Sequence, residues 1–99
     1  MAESVKQQAK RFLADVPEEF VFRCGNSHVL RNMKDLANEL KSMPDNDYAF
    51  HANDGKNDFV NWVRDIIKDD ILVNELKRAP NRAQAANAVA NRVASLVKK

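Results

Sequence analysis

The densest run of chemistry-bearing side chains is His51-Ala52-Asn53-Asp54-Gly55-Lys56-Asn57-Asp58, followed at once by Phe59 and then by Trp62. Read as an active site, His51 would be a general base, with Asp54 or Asp58 orienting it or sharing a metal ion. Read as structure, the Asn and Asp side chains form turns and cap helices, while His51 makes a hydrogen bond that fastens the loop. The spacing favours structure. The run is not HExxH, and no Glu stands where a calcium loop begun at Asp54 would need its closing ligand. Cys24, His28 and His51 could meet in space, but ordinary zinc-ligand spacing is absent. Cys24 itself has no neighbour in sequence that would activate a thiol, so it reads as a small buried hydrophobe. GxGxxG, a Walker loop and a Ser-centred elbow are all missing. The expectation is a protein that is not an enzyme and uses no cofactor or metal.

The elements that position this run follow from apolar spacing. Over residues 3–15, Val5, Ala9, Phe12, Leu13 and Val16 recur every three or four residues, which predicts a helix ended by Pro17. Phe20-Val21-Phe22 and Val29-Leu30 flank Cys24-Gly25-Asn26-Ser27, which predicts a small β-hairpin over residues 19–30. Gly25 and Asn26 are the residues expected to take the positive φ of its turn. Asn32 then caps a helix with Met33, Leu36, Ala37, Leu40 and Met43 on one face, stopped by Pro44. Tyr48 to His51 is expected to form a short helical turn, and Asn53 to Lys56 a loop. Asn57 or Asp58 caps the next helix, whose face carries Phe59, Trp62, Val63, Ile66 and Ile67. Asp69-Asp70 interrupts it, and another helix follows through Ile71, Leu72, Leu76 and Ala79 to Pro80. Asn81 with Gln84 opens a C-terminal helix over residues 81–98, with Ala83, Ala86, Ala90, Val93 and Val97 as its inner line, widened by Val89 and Leu96. The predicted fold is α+β and mostly helical: about five helices, some short, and one hairpin.

Composition bounds what such a chain can be. Ninety-nine residues suit one domain, with residues 19–79 as a central unit between the terminal helices. Hydrophobic residues make up 44% and only five residues are Gly or Pro, which favours a folded chain over a linker. One cysteine excludes an internal disulfide framework and suits a reducing cytoplasm. The N-terminal segment lacks an apolar signal region, and no run is long enough to span a bilayer, so no membrane partner is expected.

Net charge is +2, but its distribution is uneven. After Glu75 come Lys77, Arg78, Arg82, Arg92, Lys98 and Lys99, with no acidic residue among them. Arg82, Arg92, Lys98 and Lys99 on one terminal helix could contact a phosphate backbone. Lys98 and Lys99 also oppose the negative end of the helix dipole, the plainer explanation.

The run FVFRCGNSHVLRNMKDLANELKSM followed by YAFHANDGKNDFVNWVRDIIKDDILVNELKRA resembles a small uncharacterised domain found in archaeal and bacterial proteins. Its signature, H-x-N…NDF-x-x-W-[IV]-x-D-[IV], falls on His51, Asn53, Asn57, Asp58, Phe59, Trp62, Val63, Asp65 and Ile66. The resemblance implies a domain that stands alone or attached to other modules, with Gly25 as its turn glycine, and no established activity. Two positions depart from it. Cys24 stands where an acidic or polar turn residue is expected. Lys68 stands where glycine commonly precedes the aspartate, implying a less sharply bent junction. Together these readings lead to a non-enzymatic interaction or assembly module, with a protein partner or a second copy. The alternative is a small nucleic-acid-associated protein using its basic C-terminal helix.

Overall fold

A computed structural model describes residues 4–25 and 27–99, and shows a mostly helical α+β fold with six helices and two small antiparallel hairpins. Helix α1, Val5–Leu13, begins at a capping box: Ser4 Oγ accepts from Gln7 N–H, and Gln7 Oε1 accepts from Ser4 N–H. It buries Ala9 and Phe12, whereas Val5 stays 63% exposed. A short 3-10 turn, Glu18–Phe20, leads into the first hairpin, β1 Phe22–Arg23 and β2 Val29–Leu30, in which Phe22 faces Leu30. The positive φ in its turn belongs to Ser27, at 74°, and no described glycine has one. Gly25 therefore does not take the role expected of it, and Asn26 lies outside the described residues.

Helix α2, Met33–Ser42, is capped by Asn32, whose Oδ1 accepts from Asp35 N–H at 2.8 Å. The Asp35 carboxylate reaches back to Arg31 N–H at 3.0 Å, one residue beyond the usual reciprocal cap. Helix α3, Asp45–His51, is longer than the single turn expected and has Pro44, in extended conformation, at its N-cap. The presumed loop after it is a second hairpin, β3 Ala52–Asn53 paired with β4 Lys56–Asn57. Two-residue strands of this composition leave no alternating pattern to detect. The reversal is held by Asn53, whose Oδ1 accepts from Gly55 N–H and whose amide donates to the Ala49 carbonyl.

Helix α4, Asp58–Trp62, takes Asn57 as its cap and continues into a π-helical turn, Val63–Ile67. Lys68 ends that turn in the left-handed conformation, φ 68° and ψ 36°, donating its N–H to the Val63 carbonyl at 2.6 Å. The junction is thus sharply bent, contrary to the expectation drawn from the missing glycine. Helix α5, Asp70–Arg78, follows under an Asp69 cap, and α6, Arg82–Val97, under an Asn81 cap.

Helix α6 lies chiefly along α2 and also touches α5 and α1. It buries Ala85, Ala86, Val89 and Leu96, with Val93 partly covered. Ala83, Ala90 and Val97 face outward, so its inner line is rotated from the one read in sequence. Alanine on every side gives the helix no phase of its own, and the bulkier Val89 and Leu96 set it. Ile71 likewise sits outside, 57% exposed. One continuous core joins all six helices to the first hairpin.

A side chain in the left-handed region is strained, and glycine is not. Lys68→Gly is therefore expected to raise unfolding stability by about 0.5–1 kcal/mol after the greater freedom of glycine in the unfolded chain is subtracted. Chemical denaturation checks this through an increased midpoint at unchanged slope.

Candidate functional site

The aromatic residues that anchor the polar run come from three elements. Phe59 of α4 is 1% exposed and stacks between Phe22 of β1 (5.0 Å) and Tyr48 of α3 (5.7 Å). Trp62 packs edge-on to Phe22, and its indole N–H donates to the Phe20 carbonyl at 2.8 Å. Phe59 occupies the centre, and Trp62 ties α4 to the turn before the hairpin.

His51 sits against this stack at the end of α3, 6% exposed, with ring contacts to Phe22, Phe59 and Phe50. Gly25 N–H donates to its Nε2 at 3.2 Å, and its Nδ1 lies 3.0 Å from Asp58 Oδ2. An acceptor Nε2 and a donor Nδ1–H define a neutral ring with both nitrogens in use. The imidazole therefore bridges α3 to the first hairpin and to α4.

Asp58 also receives Lys56 Nζ at 3.0 Å. Burial pushes its carboxyl up, but the hydrogen bonds from His51 and Lys56, with the Lys56 charge, outweigh this and hold it below its ordinary value. Asn53 and Asn57 are spent on the turn and the cap already described. Asp54 is exposed in the second hairpin's turn, and Asp65 pairs with its exposed neighbour Arg64 at 2.9 Å rather than with another element. The structure thus brings His51, Asp58, Phe59 and Trp62 into one network, and leaves Asp65 outside it. Cys24 is buried, and its thiol is pushed up to about 11 by burial and by the charges of Glu39 and Asp47. A thiol so placed is protonated at neutral pH. His28 turns away to pair with Glu39 at 2.8 Å, so Cys24, His28 and His51 do not converge on a metal. Among the described residues, no group of three ligating side chains could hold one.

Beside His51, the first hairpin and α3 enclose a cleft of about 330 Å³ lined by Cys24, Gly25, Met43, Asn46, Asp47, Phe50 and His51. Phe50 stands at its lip, 63% exposed. Asn46, Asp47 and Phe50 were not singled out as site residues in sequence. The available signal was Phe50 itself, an aromatic two residues from Tyr48 and therefore on another side of α3 from the one that packs on Phe59.

The four basic residues of the C-terminal helix divide into two pairs. Arg92 grips Asp69 with two bonds, Nε to Oδ2 at 2.7 Å and an Nη to Oδ1 at 3.2 Å, with Asp69 only 1% exposed. Arg82 bonds Asp45 at 2.7 Å and the carbonyls of Leu40 and Lys41 at the end of α2. Both guanidinium groups are committed within the fold. Lys98 and Lys99 are exposed at its end. No helix among the described residues is long and apolar enough to cross a membrane. Comparison with known proteins finds no matching family model, no matching curated protein and no matching solved structure.

Arg92→Ala strands a buried carboxylate and is expected to cost about 3–5 kcal/mol, seen as a lower urea midpoint, whereas exposed Arg78→Ala should move it little. The lowered Asp58 carboxyl contributes stability above the pH at which the unfolded side chain ionises, and that contribution is lost as pH falls through the folded-state value. The stability difference between wild type and Asp58→Ala is accordingly expected to be largest near neutrality. It should shrink below about pH 4, the ordinary aspartate range, in denaturation measured across pH.

Proposed function

We propose that this chain is a non-enzymatic interaction module of the cytoplasm that offers the cleft between its first hairpin and α3 to another protein. On this reading it is a member of the small archaeal and bacterial domain family its signature resembles. Phe50 carries the reading: a phenyl ring 63% exposed at the lip of a concave site walled by Cys24 and Met43. An accessible aromatic beside a mostly apolar recess is the composition of an interface hot spot. The polar signature supports the same view, because His51, Asn53, Asn57 and Asp58 are each engaged in holding the frame. A base for catalysis needs a ring nitrogen able to accept a substrate proton, and both nitrogens of His51 are in use.

The nucleic-acid alternative rests on the basic end of α6, where Arg82 and Arg92 are already paired with Asp45 and Asp69. That leaves Lys98 and Lys99, a thin footprint for a phosphate backbone.

A random peptide library displayed on phage and selected on the immobilised full chain tests the proposal. Enrichment that disappears with Phe50→Asp, at a near-unchanged thermal midpoint, is the expected result. No enrichment, or enrichment indifferent to Phe50→Asp, overturns it. In parallel, sedimentation equilibrium at two salt concentrations should show no mass shift with duplex or single-stranded probes. A shift that salt abolishes would instead favour the C-terminal helix.

A further inference from the structure

Resting on that interaction reading, we propose that the cleft receives a basic side chain of the partner protein, a lysine or arginine whose stem lies over Met43 and Cys24 and whose cation meets Asp47. The walls explain why. Met43 and Cys24 are 3% and 7% exposed, so the recess is floored by apolar and weakly polar surface. Of the side chains lining it, Asp47 alone brings a charge, since His51 is held neutral by Gly25 and Asp58. Among the described residues, none forms an ion pair with Asp47. The neighbouring charges are already committed: Asp45 to Arg82 at 2.7 Å, and Lys56 to Asp58 at 3.0 Å. The Cys24 thiol is raised chiefly by burial and secondarily by the charges of Glu39 and Asp47.

Each other kind of side chain fits worse. A purely apolar one would cover the floor but strip water from Asp47 without replacing it, which is costly. An acidic one would meet a like charge. A lysine or arginine has both parts required, a hydrocarbon stem that buries and a head that pairs. Lys56 Nζ already lies 5.1 Å from the centroid of the Phe50 ring at the lip, so pairing with the incoming cation is left to Asp47.

The peptides enriched on the full chain supply the test. They are expected to share a Lys or Arg. A fluorescently labelled synthetic copy of the best one, titrated by anisotropy, should lose at least tenfold in affinity when that residue becomes norleucine or citrulline. The same peptide change should cost less than twofold on Asp47→Asn, because the partner charge is gone. Selection repeated on Asp47→Lys should return peptides with Asp or Glu in place of the base. Enriched peptides that need no basic residue, or an affinity unchanged by Asp47→Asn, overturn this proposal while leaving the interaction reading intact. Binding indifferent to Phe50→Asp sinks both. Thermal midpoints of the Asp47 variants, whose site is a partly exposed first turn, exclude unfolding as the cause of any loss.

Discussion

The neutral imidazole of His51 is the joint on which the candidate site depends. It ends α3, accepts a hydrogen bond from the backbone of the first hairpin and donates one to the start of α4. A buried ring can do this only if both nitrogens find partners, since an unsatisfied one would cost a large part of a small domain's stability. Asp58 and Gly25 meet that demand, and in doing so they fix the distance between hairpin and α3 that opens the cleft. The stacked rings of Phe22, Phe59 and Tyr48 supply the apolar half of the same joint.

A second polar joint organises the other end of the fold. Asp69 caps α5 through Leu72 N–H and receives both arms of Arg92 from α6. A carboxylate this deeply buried is tolerated because its charge and lone pairs are fully engaged. The bond also orients α6, a helix whose alanines would pack on almost any side. Polar residues that look conspicuous in the sequence are thus concentrated where elements must be held at set angles.

Much of this was legible in the sequence, and what was not has identifiable causes. The amphipathic helices and the caps at Asn32 and Asn81 announce themselves through spacing and side-chain chemistry, while at the next helix the choice lay between Asn57 and Asp58. The second hairpin did not, because two-residue strands have no period. The rotation of α6 was hidden because alanine is compatible with inside and outside alike. Lys68 escaped the reading because the left-handed bend was assigned to glycine, whereas here a lysine adopts it and closes the π-helical turn through its N–H to the Val63 carbonyl. The cleft was invisible for a different reason: Cys24 and Asp47 are brought together by tertiary packing, and no local pattern in the sequence records that meeting.

The anchoring of Trp62 has an optical consequence. It is the chain's sole tryptophan, its ring is 6% exposed, and its N–H is held by the carbonyl that precedes the hairpin. Its emission therefore reports one local event, the attachment of that turn to α4, rather than an average over many sites. The molecule carries a built-in gauge a short distance from the cleft, separated from it by Phe22 and His51. Whatever enters that cleft and displaces the hairpin would be visible without any label.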